Sequence, residues 1–195
     1  MLLFIATPSH KGDAQVCVNW VTKLIQEIGI NAKVNVVSNC PWIDVARSNL
    51  IAEFLKTECT HLFFRDDDID IEPDVLKRMI ETNVDIIVAP YRMRLKPYDW
   101  ALRTEKGRVY PGLGCALISR QVITKMIEAH PELEYDEDGK KLYALFQHKF
   151  VKNKGIRKLL KEDHAFFYRI QKLGFKVNIL LNAKVNHGGI LSQYC

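Results

Sequence analysis

The chain contains no apolar run of about eighteen residues, which excludes a membrane-spanning helix. Its opening, Met-Leu-Leu-Phe-Ile-Ala, has no basic flank and is too short for a secretory core, so it reads as a first strand. Cysteine is sparse: Cys17, Cys40, Cys59, Cys115 and Cys195 are odd in number, scattered, and form no Cys-x-x-Cys pair. That argues against a disulfide framework or a zinc site and for free thiols in a reducing compartment. Internal repeats and low-complexity tracts are missing too. No RRM, KH, zinc-finger or arginine-rich pattern occurs, so a nucleic-acid partner rests on charge alone. The expectation is a soluble, cytoplasmic domain without nucleic acid as partner.

What is present is ordinary for a globular protein: 195 residues, 48% hydrophobic and 26% charged. That length suits a single domain over 1–195 with a substantial core. The net charge is +5, with basic residues gathered at 92–96 and 149–161. Such a surplus permits an anionic partner (a phosphate-bearing small molecule, an acidic glycan, nucleic acid or a membrane surface) and selects none. The second basic stretch reads most simply as a solvated face.

Strand-like and helix-like segments alternate through the first half. Strands are expected over 2–6, 32–37, 61–65 and 84–88. Helices are expected over 13–28, over 44–55 with Asp44 as cap, and over 73–82 opened by Pro73. Repeated βαβ units imply an α/β protein with a mostly parallel sheet and helices on both faces. The second half is less regular. It offers a basic loop over 90–97, a hairpin of 100–103 with 108–110 around Lys106-Gly107, and a strand over 115–119. A helix over 121–129, an exposed acidic loop over 131–141, a helix over 159–173 and strands over 175–179 and 183–186 complete it. The chain stops soon after His187-Gly188-Gly189, which suggests the N-terminal part of a longer polypeptide.

The most telling feature is Asp66-Asp67-Asp68, directly behind the apolar run His61-Leu62-Phe63-Phe64. A buried strand would deliver these carboxylates together at its end. Clustered carboxylates repel, and are tolerated where a divalent cation or water reaches them. In α/β sheets the carboxyl ends of the strands are also where ligands bind. A solvated acidic turn is the plainer alternative. In an extended stretch Asp66 and Asp68 would share one side and Asp67 the other.

Four further signals surround the triplet: Arg47-Ser48-Asn49 on the preceding helix, Gly112-Leu113-Gly114 before a strand, Glu162-Asp163 at a helix start, and His187-x-Gly189 after a short strand. This ordered set, spanning residues 2–189, resembles the GT-A fold of nucleotide-sugar-dependent glycosyltransferases. Within that family it is most similar to the glycosyltransferases of large DNA viruses of green algae, which would place it in the host-cell cytoplasm. The resemblance implies a Rossmann-like, mostly parallel sheet with a smaller antiparallel acceptor side. It also implies hexosyl transfer from a nucleoside-diphosphate donor, expected to be UDP-linked, to a glycan or glycoprotein hydroxyl.

By that resemblance Asp68 binds the metal directly, Asp66 contacts the ribose or the metal shell, Asp67 lies in the donor site, and His187 adds an imidazole. Mn²⁺, or Mg²⁺, suits oxygen ligands with one imidazole. Thr7, Pro8 and Ser9 would cradle the nucleoside and Arg47 the diphosphate. Gly112 and Gly114 would let backbone approach the donor sugar. Asp163 would be the general base, or the carboxylate that orients the acceptor. Glu162, Arg92, Tyr98 and Trp100 are acceptor-side candidates, and Trp42, Tyr98 and Trp100 offer flat faces to a sugar.

Plainer roles stand beside these. They are turn chemistry for the glycines, packing for the aromatics, dipole complementation for Glu162-Asp163, and a hydrogen-bonded surface histidine for His187. Two other functions compete. One is a non-catalytic, metal-dependent nucleotide- or carbohydrate-binding module. The other is an aspartyl-phosphate phosphatase, disfavoured because two βα units precede the triplet here.

Overall fold

The computed structural model describes residues 1–10, 14–153 and 155–194. Asp13, the expected first residue of the first helix, and Cys195 lie outside them. In chain order the first half runs β1 (Leu3–Pro8), α1 (Ala14–Ile28), β2 (Ala32–Val37), α2 (Ile43–Leu55), β3 (His61–Arg65), β4 (Ile69–Ile71), α3 (Pro73–Glu81) and β5 (Ile86–Val88). The second half begins with β6 (Leu102–Glu105), β7 (Arg108–Pro111), β8 (Cys115–Ser119), α4 (Arg120–Ala129), β9 (Glu134–Glu137) and β10 (Lys140–Tyr143). It ends with β11 (Lys149–Asn153), β12 (Ile156–Leu160), α5 (Glu162–Lys172), β13 (Asn178–Ile179), β14 (Ala183–His187) and β15 (Ile190–Tyr194).

A six-stranded sheet in the order β13-β5-β8-β3-β1-β2 forms the centre. It is mostly parallel, β1 pairing with β2 and β3, and β13 with β5. One strand, β8, runs antiparallel between β3 and β5. The inner strands bury both faces, because successive side chains point to opposite sides. Phe4, Leu62 and Phe64 therefore pack with Phe54, Phe146 and Phe166 on one side. Leu3, Ile5 and Phe63 pack with Val21, Leu76 and Leu117 on the other. Each such side chain contributes roughly 1.5–3 kcal/mol relative to exposure.

Three differences from the sequence expectation bear on the site. Trp42, in extended backbone, is the residue before α2, and Asp44 sits inside its first turn. There the Asp44 carboxylate accepts from the adjacent Val45 N–H at 3.0 Å, and among the described residues no side-chain hydrogen bond caps the helix. The acidic stretch expected as a loop contains a short 3-10 turn, Pro131–Leu133, and the β9–β10 hairpin. The last long helix starts at Glu162 rather than 159, because Leu159 and Leu160 pair with Phe150 and Lys149 in the β11–β12 hairpin.

The three-residue strand β4 was not anticipated, and it positions the site. It pairs antiparallel with β14, setting His187 opposite Ile69, next to the aspartate turn. No helix among the described residues is long and apolar enough to cross a membrane. Cys40, Cys59 and Cys115 are free thiols.

Candidate active site

The aspartates follow β3 in a turn rather than an extended stretch, closed by the Ile69 N–H donating to the Asp66 carbonyl at 3.0 Å. The turn sends the three carboxylates to three partners. Asp66 meets Arg47, Asp67 meets Ser9, and Asp68 meets Arg94 and His187. The expectation that Asp66 and Asp68 share one side does not hold, since it assumed strand geometry.

Arg47 lies at the centre. It projects from α2 and is only 2% exposed. Its guanidinium donates to both oxygens of Asp66, at 3.2 and 3.3 Å, and to Oδ1 of Asp163. Asp163 is fixed again by the Leu113 N–H, 3.2 Å from Oδ2. Four chain segments far apart in sequence are thus tied to one cation. Burial by itself would lower the Arg47 pKa, but Asp163 and Asp66 outweigh it and hold the group above its usual range. Burial pushes the Asp66 carboxyl up, against the pull of Arg47. The Arg47 Nε and the Thr7 hydroxyl are buried without a hydrogen-bond partner among the described residues.

The glycines serve a close approach. A Cβ on Gly112 would stand 2.4 Å from the Tyr91 Oη, and one on Gly114 would stand 2.7 Å from Oδ2 of Asp66. Tyr91, unrecognised in the sequence, accepts from the Gly114 N–H at 3.2 Å and stacks edge-on against His187, with centroids 4.8 Å apart. Burial raises its phenol well above the ordinary value, so it stays neutral. Its one sequence signal was a place just past the buried strand that ends at Val88, on the rim the aspartates share.

Thr7, Pro8 and Ser9 are buried at the end of β1. The Ser9 hydroxyl donates to Asp67 at 2.6 Å, which locks the first loop to the triplet.

Asp68 and His187 adjoin, with Nε2 3.5 Å from Oδ2. The His187 Nδ1 lies 2.7 Å from the Arg92 carbonyl and donates to it. That leaves Nε2 with a lone pair when neutral and an N–H when charged, the arrangement a metal-binding imidazole needs. Arg94, more than half exposed, places its NH1 3.0 Å from the same Asp68 oxygen. Among the described residues no group of three His, Cys, Asp or Glu side chains surrounds one point. The third expected ligand, Asp66, faces Arg47 instead. The donor set at the rim is therefore one carboxylate and one imidazole, with a guanidinium that can move aside.

This pair makes a pH prediction for chelator-treated protein. Burial lowers the His187 pKa, but the Asp68 and Arg92 bonds outweigh it, so the imidazole titrates above 6.5. The His187 bond, followed by the Arg94 charge, holds Asp68 below 3.8 against burial. The His187 share of stability is present below 6.5 and fades as pH rises through its raised folded value. The Asp68 share is present above 3.8 and fades as pH falls through its lowered folded value. Following the His187 ring protons by NMR in Asp68→Asn should show the midpoint falling, since burial is then opposed by the Arg92 carbonyl bond without the carboxylate. An unmoved midpoint would remove Asp68 as the cause.

The acceptor-side candidates divide. A cleft of about 390 Å³ is lined by Tyr91, Trp100, Gly112, Glu162, Asp163 and His187. Trp100 lies there with its ring under the Arg92 guanidinium, 4.6 Å away, and against the edge of Tyr194 at 4.9 Å. Arg92 itself bonds the Tyr98 carbonyl at 2.8 Å and holds the basic loop together. Neither Arg92 nor Tyr98 lines the cleft. Trp42 is 68% exposed at the start of α2, also away from it.

No protein-family model and no curated protein sequence matches the chain. Among solved structures it is similar to the crystal structure of a 4-diphosphocytidyl-2C-methyl-D-erythritolsynthase from Anaerococcus prevotii DSM 20548, with a TM-score of 0.49 and 8% identity, over 91% of this chain and 88% of that one.

Proposed function

We propose that this chain is a metal-dependent GT-A glycosyltransferase that moves a sugar from a nucleoside-diphosphate donor, UDP-linked, to a hydroxyl of a glycan or glycoprotein. The likeness to enzymes of large DNA viruses of green algae belongs to the same proposal. One observation carries it: buried Arg47 joins Asp66, behind β3, to Asp163, at the start of α5, beside the glycine segment that enters β8. Residues separated by 116 positions in sequence thus meet in one ion-paired group, whose Asp163 end lines the cleft.

In this reading Asp163 lines the cleft with its orientation set by Arg47 and the Leu113 N–H, ready to orient an acceptor hydroxyl and take its proton. Trp100 walls the cleft with a flat ring, and Gly112 keeps side-chain bulk out of it. Arg94 brings a positive charge to the same rim, where a diphosphate would draw it away from Asp68. Asp68 and His187 would hold Mn²⁺ or Mg²⁺, and that cation, when bound, would act as a Lewis acid stabilising the negative charge that grows on the departing nucleoside diphosphate.

Calorimetric titration with a panel of nucleoside diphosphates, with and without Mn²⁺, tests the proposal. A uridine diphosphate should bind, and chelation or Asp68→Ala should weaken it by at least about tenfold, near 1.4 kcal/mol. No heat from any nucleotide with metal present would end this reading.

A further inference from the structure

The β11–β12 hairpin is unlike the rest of the surface. Residues 148–161 hold six lysines and arginines and no acidic residue. Cross-strand pairing places Phe150 with Leu159, and Lys152 with Arg157, on one face of this ribbon. The other face is turned to the protein. Leu160 is 4% exposed there, and the Lys158 Nζ bonds Glu105 at 2.8 Å. On the free face Phe150 is 55% exposed and Leu159 44%. Ile156, which pairs with Asn153 and so shares the face of Lys158 and Leu160, is nevertheless 72% exposed beside the Gly155 turn at the tip of the ribbon. The Arg157 guanidinium lies 3.9 Å over the Phe150 ring. Large apolar side chains are thus held in water inside a collar of positive charge.

From this we infer that the hairpin docks the protein on an anionic lipid bilayer. Such a surface accepts both halves of the pattern. Phe150, Ile156 and Leu159 enter the boundary between headgroups and acyl chains, and the lysines and arginines stay among the phosphates. A nucleic acid would satisfy the charges and leave Ile156 and Leu159 in water. A second copy would bring two like-charged ribbons together. The inference is independent of the sugar-transfer reading. The two connect only in that β12 leads directly into Glu162 and Asp163, so a docked hairpin would hold the cleft near the bilayer.

Flotation of the full chain with phosphatidylcholine vesicles, with and without phosphatidylserine, tests it with no nucleotide present. Binding should require phosphatidylserine, being at least about tenfold weaker on neutral vesicles. Ile156→Asp and Leu159→Asp should each weaken it by at least about tenfold while thermal unfolding stays unchanged, both positions being exposed. Lys152→Glu with Arg157→Glu should do the same. The inference is overturned by absence of vesicle binding, by equal binding to neutral vesicles, or by binding indifferent to Ile156→Asp. Tighter binding to single-stranded RNA than to vesicles, or self-association abolished by Ile156→Asp, would overturn it in favour of those partners.

Discussion

Replacing Arg47 with methionine is expected to lower the free energy of unfolding by about 3 kcal/mol, at the low end for breaking a buried ion pair. Methionine matches much of the side-chain volume, so lost packing is a minor part. The loss comes from Asp66 and Asp163, which would face each other across the gap with no cation between them. Both are about one-fifth exposed, and the water that reaches them keeps the effect from being larger. In a chain of this size the melting temperature should drop by roughly 6–12 °C.

The deficit should depend on pH in a particular sense. Burial already raises the Asp66 carboxyl, and removing Arg47 raises it further. A group whose folded value lies above its unfolded value adds stability at low pH and loses it as pH rises. The gap between variant and parent should therefore widen from pH 4 towards pH 7, a range set roughly by ordinary carboxyl values. Arg47→Lys should recover only part, because one ammonium cannot span two carboxylates as the planar fork does. Chemical denaturation across pH reads all three. A pH-independent difference would mean that Arg47 acts through packing.

On the proposed reading, Asp163→Asn should reduce the rate of sugar transfer by roughly 10²–10⁴-fold, the range a positioned proton acceptor supplies. The amide can accept from Leu113 or from Arg47, but not from both, so one donor loses its partner. Stability should fall by about 1–3 kcal/mol. Donor affinity should stay within a few-fold, because the metal contact proposed for Asp68 and the diphosphate contact proposed for Arg94 are untouched. Rate and donor affinity measured together separate an enzyme from a binding module, which would have no turnover to lose. A variant with full rate would remove Asp163 from the chemistry.

Much of the frame was legible because buried strands and amphipathic helices carry strong periodicity. β1, β2 and β3, with α1 and α3, fall within a residue or two of their expected positions. The ribbons were not legible. β9 and β10 are short and mostly charged, and the charged and apolar residues of β11 and β12 follow no strict alternation, so neither strand nor helix period stands out. Strand direction was equally hidden: the apolar run of β8 fits a parallel or an antiparallel neighbour, and only pairing settles it. At the site, the family resemblance placed Arg47, Asp66 and Asp163 in one candidate site, but it gave Arg47 to the diphosphate and did not foretell that it would bond both carboxylates. Nor did the residue types foretell that the triplet would turn. Tyr91 and Arg94 went unassigned, because contacts between a loop and a distant strand leave no spacing to read.

A single guanidinium shared by two carboxylates leaves one unit of negative charge over. Asp163 brings it to the wall of a cleft that Glu162, Arg103 and Lys161 also line, so acidic and basic groups face the same space. On the proposed reading, with a cation held by Asp68 and His187, the affinity of a nucleoside diphosphate should follow which cation accompanies it far more than the total ionic strength of the solution.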